Sequence, residues 1–196
     1  MEARVQRGTV ELSDGHVRLR PPAEQDVAPL VDAVLSSLDQ LQPWLPWAVD
    51  DYGPENARFF LDRIAEGEED AWAIRPDGDH GLVGVVGING VDELHRTANL
   101  GYWIRTSAAG QGWVTRAARL LAIYAFEVRK LQRVEIVMSV ENQASSAVAR
   151  RLGAHEEGTR RRALRLHERQ HDAQVHALFP EDVERLRAEA GSVRLR

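Results

Sequence analysis

The sequence contains no cysteine among its 196 residues and no apolar run that approaches the roughly 20 residues of a membrane span. The absence of cysteine excludes disulfide bonds and metal sites built from thiolates. The first residues, MEARVQRGTVELSDG, also lack the apolar segment of a secretory signal peptide. Together these absences predict a cytoplasmic protein that is not bound to a membrane.

The composition favours one globular domain spanning residues 1–196. Apolar residues make up 43% of the chain and charged residues 28%, which are ordinary values for a protein with a hydrophobic core. Residues 1–9 and 189–196 are expected to be flexible ends. The net charge of −5 argues against general nucleic-acid binding, which needs a basic surface. This charge is unevenly distributed, with −11 in the first 100 residues and +6 in the rest.

Hydrophobic periodicity predicts an α/β or α+β fold with one sheet covered by helices. Strands are predicted at 16–22, 71–76, 82–90, 97–105, 133–140, 155–165 and 171–179. Helices are predicted at 23–41, from Pro54 to near Gly67, at 112–129, at 142–153 and in the polar tail at 180–190. Antiparallel hairpins therefore come first, and alternating strands and helices follow.

Two glycines lie between the strand 97–105 and the start of a long helix. Either they only permit a tight turn, or they let an anion reach the unpaired amides of the helix start, where no Cβ blocks its approach. The chain lacks the G-K-[ST] of a Walker loop and the third glycine of a dinucleotide fingerprint. The candidate anion-binding residues are Gly110, Gln111, Gly112, Trp113 and Val114.

The start of the helix 142–153 is a second candidate site. Asn142 is a favourable N-cap for the helix, and Ser145 follows three residues later. A cap alone explains the asparagine, but a cap at the edge of a sheet can also contact a ligand. Both interpretations remain open at this stage.

A group of histidines and a run of arginines are also candidates. His167, His171, Asp172 and His176 contain metal-ligating side chains. Because His171 and His176 are an odd number of residues apart, they lie on opposite faces of a strand, and no metal site is expected. The run RRRALR at 160–165 fits a solvated hairpin better than a surface for nucleic acid or an acidic ribosomal partner.

Three stretches of the sequence occur in the order and spacing of one family. They are NLGYWIRTSAAGQGWVTRAARLLAIYAFEVRKLQRVEI at 99–136, VENQASSAVARRLGA at 140–154 and QHDAQVHALFPEDV at 170–183. The chain thereby resembles the GNAT acetyltransferase superfamily, in its branch of RimJ/RimL-type N-terminal acetyltransferases of ribosomal proteins. The resemblance implies a single mixed, mostly antiparallel sheet of about seven strands flanked by helices. It also implies an N-acyltransferase that uses acetyl-CoA and no metal.

In the resembled family, the pyrophosphate of acetyl-CoA binds at the glycine turn. Of the family's fixed positions only Gly112 matches, since Ala109 replaces Arg or Gln and Val114 replaces Gly or Ala. A pyrophosphate can still bind there, because its partners are backbone amides. Thr115, in the first helical turn, is expected to add a hydroxyl.

The resemblance also places the acyl arm along the strand at Trp103, Ile104 and Arg105. The amide of Ile104 or Arg105 would polarise the thioester carbonyl. Asn142 and Ser145 are expected beside the pantetheine arm and the sulfur. Ser145 is therefore the candidate catalytic residue, as hydrogen-bond donor to the departing thiolate.

The acceptor amine must lose a proton, and the sequence offers no clear base. Relatives often carry Glu where Asn99 stands, and a carboxamide cannot take a proton. At pH 7 an α-amine is neutral roughly 300-fold more often than a lysine, so a site without a strong base favours a protein N-terminus. Asp92, Glu93 and His95 are candidates that would act through water, although solvated turn residues are the simpler interpretation.

The acceptor pocket is expected at the PWLPW loop, where Trp44 and Trp47 either wall a cleft or pack in the core. The acidic half of the chain suits a cationic acceptor, and the basic half suits the phosphates of coenzyme A. The leading hypothesis is direct attack by a protein N-terminal amine in a ternary complex. The alternatives are a small-amine acetyltransferase, for an aminoglycoside or polyamine, and a non-catalytic regulatory domain that binds coenzyme A. A homodimer is compatible with each.

Overall fold

The computed structural model describes residues 10–78 and 81–195, which form one nine-stranded sheet. The strands are β1 (Leu12–Ser13), β2 (Val17–Arg20), β3 (Asp70–Pro76), β4 (Gly84–Asp92), β5 (Thr97–Ile104), β6 (Arg133–Ser139), β7 (His155–Leu166), β8 (Arg169–Leu178) and β9 (Arg194–Leu195). They lie in the order β7-β8-β6-β5-β4-β3-β2-β1-β9. Only β5 and β6 pair in parallel within this part of the chain. The prediction of a mixed, mostly antiparallel sheet is confirmed.

The expected number of about seven strands is wrong, because β1 and β9 were not foreseen. Each contains two residues, and alternation with a period of two cannot be recognised over so short a stretch. β9 lies in the segment 189–196 that the sequence predicts to be flexible, and there Leu195 pairs with Leu12 of β1. The other expected flexible end, 1–9, lies outside the described residues.

Six α-helices cover the sheet in the described part of the chain. They are α1 (Val27–Leu35), α2 (Leu38–Leu41), α3 (Pro54–Ala65), α4 (Trp113–Glu127), α5 (Gln143–Arg151) and α6 (Val183–Ala190). The predicted helix 23–41 is divided because Ser37, with a φ of −133°, interrupts it. The Ser37 hydroxyl accepts a hydrogen bond of 2.9 Å from the Thr106 amide beyond β5, so the interruption of the helix lies against the end of that strand. Among the described residues, no helix has the length and apolar character needed to cross a membrane.

Two apolar clusters lie on opposite faces of the sheet. Helix α4, with eleven of its fifteen residues buried, fills one face, which we call the α4 face. Helices α1 and α3 cover the other, which we call the α1 face. Strand β5 contributes to both, because Tyr102 and Ile104 pack on the α4 face and Trp103 packs on the α1 face.

Candidate functional site

Strands β5 and β6 separate before either strand ends. Their parallel pairing begins at Thr97 and Arg133 and stops at Asn99 and Glu135, although β5 continues to residue 104 and β6 to residue 139. We call the gap between the unpaired halves the fork. Main-chain groups along such a gap need hydrogen-bond partners, so an extended ligand can bind there as an additional strand would.

The direction of the peptide groups identifies which residues of β5 line the fork. The Arg105 amide donates to the Val83 carbonyl over 2.8 Å, toward β4. Peptide groups of successive residues point to opposite sides of a strand, so those of Leu100, Tyr102 and Ile104 face the fork. Of the two amides expected to polarise a carbonyl, that of Arg105 is therefore already bonded within the sheet, whereas that of Ile104 faces the fork.

Asn99 lies where the fork begins. Its Oδ1 accepts a hydrogen bond from the Val137 amide of β6 (3.2 Å), and its Nδ2 donates to Oδ1 of Asn89 on β4 (3.0 Å). In a continued parallel ladder the Val137 amide would bond to the main chain of β5. The Asn99 side chain thus takes the place of a ladder hydrogen bond at the point of separation.

The glycine turn is compatible with both interpretations that the sequence left open. Gly110 and Gly112 have φ angles of +75° and +83°, and a Cβ at either position would meet no atom within 4 Å. The turn therefore requires glycine, and the space beside it is open. Helix α4 has no side-chain cap, and the amides of its first turn have no acceptor within the described residues. They belong to Gly112, Trp113, Val114 and Thr115.

The side chains around this turn bond to the protein itself. Gln111 donates to the Ser107 carbonyl (3.3 Å) and accepts from the indole N–H of Trp113 (3.1 Å). The Arg105 guanidinium donates to Asp32 (2.9 Å) and Ser36 (3.2 Å) on and just after α1. The backbone of the turn, rather than these side chains, is what remains available to an anion.

A cleft of about 140 Å³ connects the fork with the starts of α4 and α5. Its lining includes Trp44, Tyr102, Ile104, Val114, Asn142 and Ser145. The predicted cap is present, since Oδ1 of Asn142 accepts a 3.0 Å hydrogen bond from the Ser145 amide. Val114, which departs from the family pattern, is buried with 8% exposure. Thr115 is equally buried, which keeps most of its side chain from a ligand.

Tyr102 was not predicted as a site residue, and it contacts Ser145 directly. Its hydroxyl lies 3.1 Å from Oγ and 3.2 Å from the carbonyl oxygen of Ser145, and it can donate to either. Burial raises the pKa of Tyr102 to about 12, although the hydrogen bond with Ser145 acts in the opposite direction. The phenol therefore stays neutral and holds the serine hydroxyl at the cleft. The alternation of β5 indicated the face of Tyr102, but no local signal indicated its partner.

The two tryptophans of the 42–54 loop differ in their surroundings. Trp44 lines the cleft with Ser145. Trp47 is 42% exposed, and its ring centroid lies 5.8 Å from that of Trp103 and 5.9 Å from that of Tyr52. Trp47 thus packs against the sheet and keeps a free surface, so packing and cleft formation are compatible there.

The remaining polar candidates are dispersed. Asp92 accepts from the His95 amide (2.9 Å) and Glu93 lies 3.6 Å from Arg129, at the end of β5 opposite to the fork. His176 is fully buried on the α4 face. His167 contacts the Gln42 carbonyl at 2.7 Å.

In the RRRALR run on β7, the two outer arginines form ion pairs with glutamates. Arg160 bonds to Glu135 at 3.0 Å and Arg165 to Glu168 at 2.9 Å. The run lies on the outermost strand of the sheet, and its residues 160–163 and 165 are exposed. This placement fits the solvated hairpin.

Comparison with known proteins adds independent information. Residues 16–155 match the acetyltransferase (GNAT) domain family. The chain is 30% identical over 175 residues to the putative ribosomal N-acetyltransferase YdaF of Bacillus subtilis, with 86% of this chain and 94% of that protein covered. It is 29% identical over 143 residues to spermidine N(1)-acetyltransferase of Escherichia coli, with 72% of this chain and 74% of that protein covered.

A solved structure reproduces the fold over most of its length. RimL, a ribosomal alpha-N-protein acetyltransferase in complex with coenzyme A, aligns with a TM-score of 0.76 and 27% identity. The alignment covers 84% of this chain and 94% of RimL.

Proposed function

Because the chain belongs to the GNAT acetyltransferase family, whose enzymes use acetyl-CoA as co-substrate, we propose that it acetylates the α-amine of a protein N-terminus. One observation carries the proposal. The unpaired main chain of β5 in the fork lies in the same cleft as the starts of α4 and α5. The diphosphate, the amide-rich arm and the thioester of acetyl-CoA would find hydrogen-bond partners in this cleft in that order.

The residues present fit coenzyme A. The first-turn amides of α4 are donors without acceptors among the described residues, and a helix N-terminus favours an anion. The peptide groups of Tyr102 and Ile104 would pair with the arm as a neighbouring strand does. These contacts come from the backbone, so the departures at Ala109 and Val114 leave them intact.

The reaction needs three contributions from the chain. The acceptor nitrogen attacks the thioester carbonyl carbon, a C–N bond forms, and the C–S bond breaks with its electron pair going to sulfur. A fork-facing amide of Tyr102 or Ile104 stabilises the charge that develops on the carbonyl oxygen. The Ser145 hydroxyl, held by Tyr102, donates a hydrogen bond to the departing sulfur. The nitrogen loses one proton to a base.

The residue at position 99 favours one class of acceptor. A carboxamide that bridges β4 and β6 cannot take a proton, so an amine that is already partly neutral is favoured. An α-amine, with a pKa near 8, is neutral roughly 300-fold more often at pH 7 than a lysine side chain. YdaF and RimL, whose names refer to ribosomal proteins, support the same class of acceptor.

A polyamine is the second candidate acceptor. The relative that is named for spermidine supports it, as do the exposed carboxylates of Asp50 and Asp51 in the loop that carries both tryptophans. Two adjacent negative charges can attract a polycation without selecting an N-terminus.

Thiol release measured with three acceptors tests the proposal. The acceptors are a lysine-free peptide with a free N-terminus, the same peptide blocked at its N-terminus and carrying one lysine, and spermidine. We expect turnover on the free N-terminus and at most slow turnover on the other two. Faster turnover on spermidine would replace the proposal by the second candidate. Calorimetric binding of acetyl-CoA without turnover on any amine would indicate a non-catalytic domain that binds coenzyme A.

A further inference from the structure

Three polar side chains meet at the end of β6, outside the cleft that holds Ser145. Oγ of Ser139 lies 3.3 Å from Nδ1 of His171 on β8. Oε2 of Glu141 lies 3.7 Å from the same nitrogen, and the Glu141 amide donates to Oγ of Ser139 over 3.3 Å. Ser139 is 3% exposed and the His171 side chain 10%, whereas Glu141 is largely exposed.

Ser139 of this cluster borders the fork on the α1 face, and His171 lies one strand further out, on β8. Ile136 and Met138 of β6 pack on the α4 face, so Val137 and Ser139 lie on the α1 face. The pairing of β5 and β6 has a constant offset of 36 residues, which places Ser139 level with Trp103. An acyl group bonded to the neighbouring amides of β5 would therefore have Trp103 on one side and the cluster on the other.

The geometry of the cluster suits proton transfer and excludes a nucleophilic serine. In a catalytic triad the serine and the acid contact different imidazole nitrogens, but here both contact Nδ1. In the tautomer whose Nδ1–H donates to Ser139, Nε2 is the basic nitrogen. No hydrogen-bond partner of Nε2 occurs among the described residues.

The other ionisable groups near the fork are less suitable. Glu135 lies opposite Asn99, but its carboxylate accepts hydrogen bonds of 2.8–3.0 Å from Arg133 and Arg160. Asp92 and Glu93 lie at the opposite end of β5 and have partners there.

We propose that His171 is the general base of the acyl transfer described above, an inference that rests on the proposed function. Nε2 takes the proton that the acceptor nitrogen loses as the C–N bond forms, directly or through one water. The proton then passes to solvent, and the sulfur leaves with the electron pair of the C–S bond.

Charged groups around His171 come from two neighbouring elements. Glu141 follows β6, and on β7 the residue opposite His171 is Leu164, next to Arg165, which pairs with Glu168. Asp172 accepts from the Arg162 amide (2.8 Å). Glu141 is thus the carboxylate that stabilises an imidazolium at this position.

The pH dependence of kcat/KM, measured with the free N-terminal peptide, tests the proposal. His171→Gln keeps a side chain that can bond to Ser139, and we expect it to lower kcat about 100-fold at pH 7 and to make kcat/KM depend less on pH. The Kd of acetyl-CoA should not change. The matched control is His16→Gln, in the exposed turn between β1 and β2, which should behave as wild type.

A second variant keeps the proposal testable if His171→Gln fails to fold. Glu141→Gln alters an exposed side chain and should lower kcat less than His171→Gln does, because the imidazolium loses its carboxylate but the base remains. A folded His171→Gln with the wild-type rate and pH profile would overturn the inference, as would a wild-type kcat in Glu141→Gln. Absence of turnover in the wild type would instead overturn the proposed function.

Discussion

The turn before α4 allows protein stability and ligand binding to be separated by one pair of substitutions. Gly112 has a φ of +83°, and a Cβ there would meet no atom within 4 Å. A left-handed conformation costs an L-residue about 1–2 kcal/mol. Gly112→Ala should therefore lower the free energy of unfolding by that amount, which for a chain of this length lowers Tm by about 2–8 °C.

Gly67, just after α3, is a matched control. Its φ is +77° and the space beside it is equally open, so Gly67→Ala should cost the same stability. Gly67 lies apart from the cleft. Only Gly112→Ala should also weaken coenzyme A binding, because its methyl group occupies the space in front of the α4 amides. Loss of one charge-assisted hydrogen bond costs about 1.5–3 kcal/mol, which raises Kd about 10- to 100-fold.

Thermal melts and calorimetric titration of both variants with coenzyme A provide the measurements. Gly112→Asp adds a negative charge at the same position and should weaken binding more than Gly112→Ala. If Tm falls by the same amount in the two alanine variants and neither variant changes the Kd of coenzyme A, then the glycines serve only the turn. The anion site, and the proposed function with it, would be refuted.

Three further results are expected around the cleft. Ser145→Ala should lower kcat about 10- to 100-fold, the value of a hydrogen bond to charged sulfur, with an unchanged Kd for acetyl-CoA; an unaltered kcat in steady-state assays would remove its assigned role. Tyr102→Phe should lower kcat less, and adding it to Ser145→Ala should have no further effect, because it acts by positioning that serine. Since the pKa of Tyr102 is raised from 10 to about 12, its contribution to stability is complete below pH 10 and is lost as the pH rises toward 12. Urea titrations should therefore show a smaller alkaline loss for Tyr102→Phe than for wild type, and parallel losses would contradict this cause.

The elements with a clear period could be predicted from the sequence. The predicted strand 97–105 corresponds to β5 at Thr97–Ile104, and the predicted helix 112–129 corresponds to α4 at Trp113–Glu127. The cap at Asn142 was also predictable, because a cap is a local interaction between residues three apart. In each case the information lies within one turn or one strand of the chain.

The fork and its side chains could not be predicted in this way. Alternation continues through β5 and β6 whether or not the strands pair, so nothing local marks the separation at Asn99. Its bond to Val137 spans 38 residues, and that of Tyr102 to Ser145 spans 43. His171 and Ser139 are 32 residues apart. Contacts of this kind depend on the register of the sheet, which a single sequence does not specify.

At the fork, the side chains proposed to act in the reaction lie on opposite faces of the sheet. Ser145 and the Tyr102 side chain belong to the α4 face, whereas Ser139, His171 and Trp103 belong to the α1 face. Asn99 bridges β4 and β6 at the apex and carries no charge. A proton acceptor on one face and a hydrogen-bond donor to the departing thiolate on the other face can act at the same thioester without competing for one position. A neutral residue at 99 is therefore compatible with catalysis, because the proposed base, His171, lies on β8, across β6 from Asn99.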